Sequence, residues 1–304
     1  MSEIERAAEV LRTGGLVIFP TETVYGVGCD ATNPQAVARL YAAKGRPQFN
    51  PLIAHVADLA AAEREAVLHP KTRALAERFW PGPLSIVAPR RGESAVAELA
   101  CAGLATIALR APSHPTARAL LAAFGKPIAA PSANRSGRVS ATTAAHAAED
   151  LGSAVGAVLD AGPSPIGLES TIVSVDDSGT ATLLRIGAIT REQIEAVTGP
   201  LAQPGGSIEA PGMLASHYAP HARLRLDADA PRAGEAYLAF GSHAPAGGLT
   251  LSATGDLVEA AANLYAHLRA LDASGAQVIA VASIPAHGLG EAIRDRLARA
   301  AAPR

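Results

Sequence analysis

From residue 3 to residue 198 the chain alternates short, fully apolar runs with helical stretches that carry one apolar face. This alternation constrains the fold more than any other feature. A run such as Leu16-Val17-Ile18-Phe19 has no polar side to offer water, so it reads as a strand covered on both faces. Helices between such strands supply the cover, which is the layout of an α/β domain.

Local signals place the elements. Ser2 and Glu5 form a capping-box pattern ahead of a helix in which Ile4, Ala7, Ala8 and Leu11 recur at helical spacing, and Gly14-Gly15 ends it. Asn33-Pro34 starts a second helix that runs to Lys44 and stops at Gly45. Further strands are expected at 52–56, 84–88, 105–110, 128–130, 155–159 and 170–175, with another ending at Arg185; further helices at 71–80, 115–124, 142–151 and 190–197. Then Gly199, Pro200, Pro204, Gly205, Gly206, Pro211, Gly212 and Pro220 break the rhythm, as a linker does. Beyond it come strands at 236–240 and 278–281 and helices at 256–271 and 290–301, enough for a small second α/β unit. The expected division is a domain over 1–199, a linker over 200–222 and a second domain over 223–304.

Composition narrows the class. Hydrophobic residues make up 49% of the 304 and charged residues 18%, which predicts a sizeable core rather than disorder. A net charge of -2 argues against a protein that coats nucleic acid, while leaving room for a local cationic pocket. No stretch approaches the roughly 18 apolar residues that span a bilayer. The start, Met1-Ser2-Glu3-Ile4-Glu5, is acidic and unlike a signal peptide. Cys29 and Cys101 read as reduced cytosolic thiols, so a cytoplasmic protein is expected.

Chemistry concentrates at a few places. Pro20-Thr21-Glu22-Thr23-Val24-Tyr25-Gly26-Val27-Gly28 puts two hydroxyls and flexible backbone directly after an apolar strand. Lys44-Gly45-Arg46-Pro47 sets two cations at a helix end, followed by Asn50-Pro51-Leu52. Together they suit a polyanion such as a nucleotide; the same cations would also suit the negative end of a helix dipole with no ligand. His55 enters an apolar strand, where a satisfied core histidine is the plainer reading. Pro131-Ser132-Ala133-Asn134 and Gly167-Leu168-Glu169-Ser170-Thr171 stand at strand ends, where ligands dock in open α/β sheets and where turn chemistry is also common. Arg110 and Arg185 end strands.

Several mechanisms are excluded. There is no Walker A frame, no G-x-G-x-x-G after a strand and no G-x-S-x-G. Pro220 interrupts the helix that His217 and His221 would need to ligate zinc at i, i+4, so no resident metal is expected.

At these residues the sequence resembles a known family. The segments 20–26, 44–47, 50–52 and 131–134, with Ser170-Thr171-Ile172, look like the YrdC domain. Ala210-Pro211-Gly212-Met213 and His217-Tyr218-Ala219-Pro220, with the tail after them, look like its longer Sua5 branch. The resemblance covers nearly the whole chain. Val27 stands where the family commonly has Leu and Ala210 where Ser is usual; neither removes a polar role. The fold it implies is a YrdC-like twisted open mixed α/β sheet with flanking helices, followed by a small Rossmann-like C-terminal domain.

The resemblance also implies an activity. Such proteins are L-threonylcarbamoyladenylate synthases: they join L-threonine, bicarbonate or CO2 and ATP (with Mg2+), and release pyrophosphate. The product passes to a downstream transferase complex that modifies adenosine 37 of tRNA. By resemblance Thr23, His55, Arg110, Ser170 and the Ala130 backbone are threonine-binding positions. Arg46, Asn50, Thr106, Ser132, Ser140 and Arg185 are ATP-binding positions, Tyr218 closes over the nucleotide, and Lys44 with Arg46 belongs to the reacting phosphate region. No protein nucleophile is required, because a carbamate oxygen attacks the α-phosphorus directly. The competing reading is a double-stranded RNA-binding or ribosome-associated protein that uses the same cations without catalysis, with tRNA contact open under either. A carbamoyl transferase of the hydrogenase-maturation type needs Cys-rich zinc fingers, which two cysteines cannot build.

Overall fold

In the computed structural model, which describes residues 1–206, 209–213, 216–241 and 244–303, the local signals at the start of the chain take effect. Helix α1 (Glu3–Arg12) opens on a capping box: Ser2 Oγ accepts from the Glu5 amide at 3.2 Å, and Glu5 Oε2 accepts from the Ser2 amide at 2.6 Å. Such a cap stabilises by about 1 kcal/mol. Strands β1 (Val17–Phe19) and β2 (Gly26–Asp30) follow, then α2 (Pro34–Lys44), capped by Asn33 and stopped by Gly45 in the left-handed region. Next come β3 (Ile53–His55), α3 (Leu59–Glu65), α4 (Pro70–Phe79), β4 (Leu84–Pro89), β5 (Thr106–Arg110) and α5 (Pro115–Phe124). The series ends with β6 (Ile128–Ala129), α6 (Ala144–Leu151), β7 (Ala157–Val158), β8 (Thr171–Val175), β9 (Ala181–Arg185) and α7 (Arg191–Thr198).

These strands form one mixed sheet in the order β7-β1-β2-β6-β3-β5-β4-β8-β9. Three neighbouring pairs are parallel (β1 with β7, β3 with β5, β4 with β8) and the other five antiparallel. Strand β2 is absent from the sequence expectations because its glycines carry no strand signal. Packing explains it. A Cβ on Gly28 would lie 2.6 Å from Ile128 Cγ2 and 2.8 Å from Phe19 Cε1, so the strand needs glycine to lie under its neighbours. The Ala-rich α3 also escapes pattern reading.

The rest of the chain builds β10 (Arg223–Arg225), β11 (Ala236–Ala239), β12 (Leu249–Thr250), α8 (Leu257–Ala273), β13 (Val278–Val281) and α9 (Leu289–Ala301). Its strands form a parallel sheet in the order β10-β13-β11-β12. Strands β10 and β12 are too short, three and two residues, to show a period. The two sheets share apolar packing: Leu168, Ile186 and Tyr218 join one buried cluster with Leu264, Tyr265 and Ile293. Among the described residues no helix is long and apolar enough to cross a membrane.

Candidate active site

The register of the large sheet gathers the polar residues. β3 and β5 run parallel with His55 opposite Arg110, so both side chains leave the sheet at the same end. β6 runs antiparallel to β3, with Ile128 opposite His55, and leaves past Ile53 through Ala130, Pro131 and Ser132. At the His55 and Arg110 end β8 begins at Thr171, directly after Ser170, and Arg185 at the end of β9 lies opposite Ile172. The turn between β1 and β2 is fastened by Thr21: its hydroxyl donates to the Val24 carbonyl at 2.6 Å and contacts the Thr23 hydroxyl at 2.8 Å. Pro211, Gly212, His217 and Tyr218 complete the lining.

The hollow so formed has a cavity volume of about 50 Å³, room for a few waters. Of the residues predicted from sequence, Thr23, Arg46, His55, Arg110, Ala130, Ser132, Ser170, Arg185 and Tyr218 line it. Lys44, Asn50, Thr106 and Ser140 do not. Lys44 lies behind the wall, where its buried ammonium donates to the Ser132 carbonyl at 2.6 Å and to the Asn134 carbonyl. Burial, then repulsion from Arg46, pushes the Lys44 ammonium well down from its ordinary value. Asn50 supports Arg46: its Oδ1 accepts from Nη2 at 2.6 Å and its carbonyl from Nε at 3.0 Å. Ser140 donates to Glu169 Oε1 at 2.5 Å and so meets the hollow through that carboxylate. Thr106 opens β5 four residues before Arg110, about 13 Å away along an extended strand.

The cations are of two kinds. Arg110 is paired: Nη2 donates to Glu22 Oε1 at 2.6 Å, while Glu22 Oε2 accepts the amides of Ser113 and His114. Nη1 of Arg110 makes no hydrogen bond among the described residues. Arg46 and Arg185 have no carboxylate within 4.0 Å among the described residues, although both are buried. Arg185 is held by neutral oxygens instead, donating to Ser170 O and Oγ at 3.0 Å each and to Pro211 O at 3.2 Å. Burial lowers both guanidinium values, that of Arg46 to about 10. Two buried cations without counter-ions form an unfinished arrangement that an anionic ligand completes.

The remaining polar atoms point the same way. Among the described residues His55 Nδ1 is buried with no hydrogen-bond partner, as are His217 Nδ1 and the Tyr218 hydroxyl. Tyr218 holds φ +62, a costly backbone for a ring-bearing residue, with its hydroxyl directed into the hollow. His217 packs edge-on against it at 4.1 Å between ring centres.

Burial, with help from Arg110, pushes His55 down to about 3, so its ring is neutral at ordinary pH. The linkage sign follows. The unfolded chain takes up a proton near pH 6.5 and the folded one does not, so stability falls as pH drops from about 6.5 to about 3. The loss is about 2 kcal/mol by pH 5. His217, also held near 3, adds a second such contribution. His55→Gln should remove one proton's worth of slope, about 1.4 kcal/mol per pH unit, from urea unfolding measured between pH 6 and 4. Equal slopes in the two proteins would show that His55 is not buried and neutral.

Glu169 lines the hollow and Glu22 backs Arg110, neither with a role from sequence. Their signal was legible all the same: a glutamate inside an apolar or hydroxyl-bearing run must be buried with a cationic partner. Sequence reading had no way to name those partners, Arg110 and Arg296, which lie 88 and 127 positions away.

Fold and site together define an α/β protein with a hollow lined by buried arginines, hydroxyls and a neutral histidine. The Sua5/YciO/YrdC family model, described as "Telomere recombination", matches residues 9–187, and one described as "Threonylcarbamoyl-AMP synthase, C-terminal domain" matches residues 189–302. The chain belongs to this family, in its two-domain Sua5 form. It is 40% identical to the threonylcarbamoyl-AMP synthase of Bacillus subtilis, over 99% of this chain and 94% of that one. It is 39% identical to the enzyme of the same name from Pyrococcus abyssi, over 98% and 94%. A crystal structure of P. abyssi Sua5 complexed with L-threonine superposes with a TM-score of 0.90 at 36% identity, covering 98% of this chain and 94% of that one.

Proposed function

We propose that this protein forms L-threonylcarbamoyl-AMP and pyrophosphate from L-threonine, CO2 or bicarbonate, and ATP, for the threonylcarbamoyl modification of tRNA adenosine 37. The observation that carries the reading is the pair of buried, unpaired guanidiniums, Arg46 and Arg185, set beside a pocket of hydroxyls with a neutral imidazole and the half-engaged Arg110. Arg46 and Arg185 are buried in the hollow rather than spread over a surface that an RNA duplex could reach, which disfavours the binding-protein alternative.

The threonine amine adds to CO2 and loses a proton, giving a carbamate. The carbamate oxygen attacks the α-phosphorus and pyrophosphate departs. The protein's share is placement and charge. Arg110 Nη1 takes the threonine carboxylate, with Nη2 anchored on Glu22. Thr23, His55, Ser170 and the Ala130 backbone surround the rest of the amino acid. Arg185 and Arg46 face the phosphates, with Asn50, Ser132 and Ser140 supporting that side, and Tyr218 closes over the nucleotide. Lys44 fixes the 131–134 turn from behind. Thr106, half-buried at the far end of β5, keeps its nucleotide role only by resemblance. In this reading Mg2+ enters with the substrate, on the phosphates of ATP. Glu169, the carboxylate lining the hollow, is engaged by Arg296.

The same proposal assigns 1–199 to the catalytic domain, 200–222 to the linker that completes the lining and 223–304 to the C-terminal domain; residues 207, 208, 214, 215, 242, 243 and 304 of these ranges lie outside the described ones. Both cysteines are buried and free, which suits a reducing cytosol. The mixed anhydride hydrolyses readily, so it calls for a transferase close at hand. Mass spectrometry of a reaction containing threonine, bicarbonate and Mg-ATP should show threonylcarbamoyl-AMP and equimolar pyrophosphate. Valine in place of threonine should give almost none, because buried hydroxyl partners would be left unpaired. No product from threonine, or equal product from valine, overturns the proposal.

A further inference from the structure

Glu169 puts a carboxylate into a hollow built for anions. The next residue, Ser170, is the one that holds Arg185. A carboxylate so placed would ordinarily pair with that guanidinium and occupy the position an anionic ligand needs. It does not. Glu169 Oε2 accepts from the Tyr265 hydroxyl at 2.9 Å and from Arg296 Nε at 2.9 Å, and Oε1 accepts from Ser140. Tyr265 lies on α8 and Arg296 on α9, both in the C-terminal part of the chain.

Those two residues are themselves firmly placed. Arg296 is 1% exposed; it donates to the Ile186 carbonyl at 2.8 Å and lies 5.0 Å from the centre of the Tyr218 ring. Tyr265 stacks on the same Tyr218 ring, 5.8 Å between ring centres. The contact between the two parts is close at backbone level. Gly167, two residues before Glu169, has φ +73, and a Cβ there would lie 2.6 Å from Ala262 Cα on α8. Burial works to raise the Glu169 value, but the charges of Arg296 and Arg185 outweigh it and hold the carboxyl at about 2, so it stays ionised at any working pH.

We propose that Arg296 and Tyr265 are positioning residues for the nucleotide site: they draw the Glu169 carboxylate off Arg185 and so keep Arg185 available to the phosphates of ATP. The C-terminal domain is then an electrostatic part of the catalytic centre. The proposal rests on the reading of Arg185 as a phosphate ligand given above.

The test uses the full chain and two readouts: steady-state kinetics, and calorimetric binding of α,β-methylene ATP, which cannot release pyrophosphate. Arg296→Met strands the carboxylate and should raise the ATP KM about 30-fold while moving the threonine KM less than about 3-fold. Adding Glu169→Gln removes the stranded charge. The double variant should return to within about 3-fold of Glu169→Gln alone, whereas a merely structural role would leave it no better than Arg296→Met. Tyr265→Phe keeps the ring and removes one donor, and should weaken analogue binding about 3- to 10-fold. If Arg296→Met fails to fold by circular dichroism, Tyr265→Phe with and without Glu169→Gln decides. Unchanged analogue affinity in Tyr265→Phe, or no recovery on adding Glu169→Gln, overturns the proposal. A wild-type protein that binds the analogue yet makes no product would sink the reaction assignment instead, leaving the affinity comparison intact.

Discussion

Arg185→Ala should lower kcat/KM for ATP by about 100- to 1,000-fold, the range found when one preorganised donor is removed from a developing anion. Three features of this side chain argue for so large an effect. It is buried, it has no carboxylate partner, and three protein oxygens, Ser170 O and Oγ and Pro211 O, fix its direction before any ligand arrives. The guanidinium therefore needs no reorganisation when charge builds on the phosphates. Arg185→Lys should recover only part of the loss, because an ammonium keeps the charge but cannot span Ser170 and Pro211 as the planar fork does. Pyrophosphate release at varied ATP, with threonine saturating, measures both variants. A kcat/KM for Arg185→Ala within about 3-fold of wild type would mean that ATP binds elsewhere.

Arg110→Ala should act on the other substrate, raising the threonine KM about 100-fold or more while the ATP KM moves little. Glu22 complicates the single variant. Removing Arg110 leaves a buried carboxylate without its cation, which costs about 3–5 kcal/mol of stability. Burial raises the Glu22 value, but the Arg110 charge and hydrogen bond outweigh it and the net shift is downward. Its contribution is thus present above the ordinary glutamate range and fades as pH falls through the lowered value. The clean comparison is Arg110→Ala with Glu22→Gln, which should regain most of the melting temperature and none of the threonine affinity. If threonine kinetics recover along with stability, Arg110 serves only to neutralise Glu22. If the ATP KM rises as much as the threonine KM, the two substrate pockets are wrongly divided.

What was legible in the chain followed from local physics. The capping box at Ser2 and Glu5, the Asn33-Pro34 start and Gly45 stop of α2, and the bounds of α5 are decided within a few residues of backbone, and sequence alone determines them. Most strands showed for the same reason. β2 did not, since its glycines are demanded by Phe19, on the strand across the turn, and by Ile128, 100 positions beyond Gly28. Motif residues likewise marked most of the polar groups that the fold gathers around one hollow. Their division of labour was not announced. Lys44 and Arg46 stand two positions apart, yet one braces a turn from behind the wall and the other faces the hollow. Arg110 and Arg185 both end strands, yet one has a buried glutamate and the other none. Only the tertiary structure decides such matters, because a buried charge is defined by what surrounds it, and the groups that surround these come from segments up to 127 residues away.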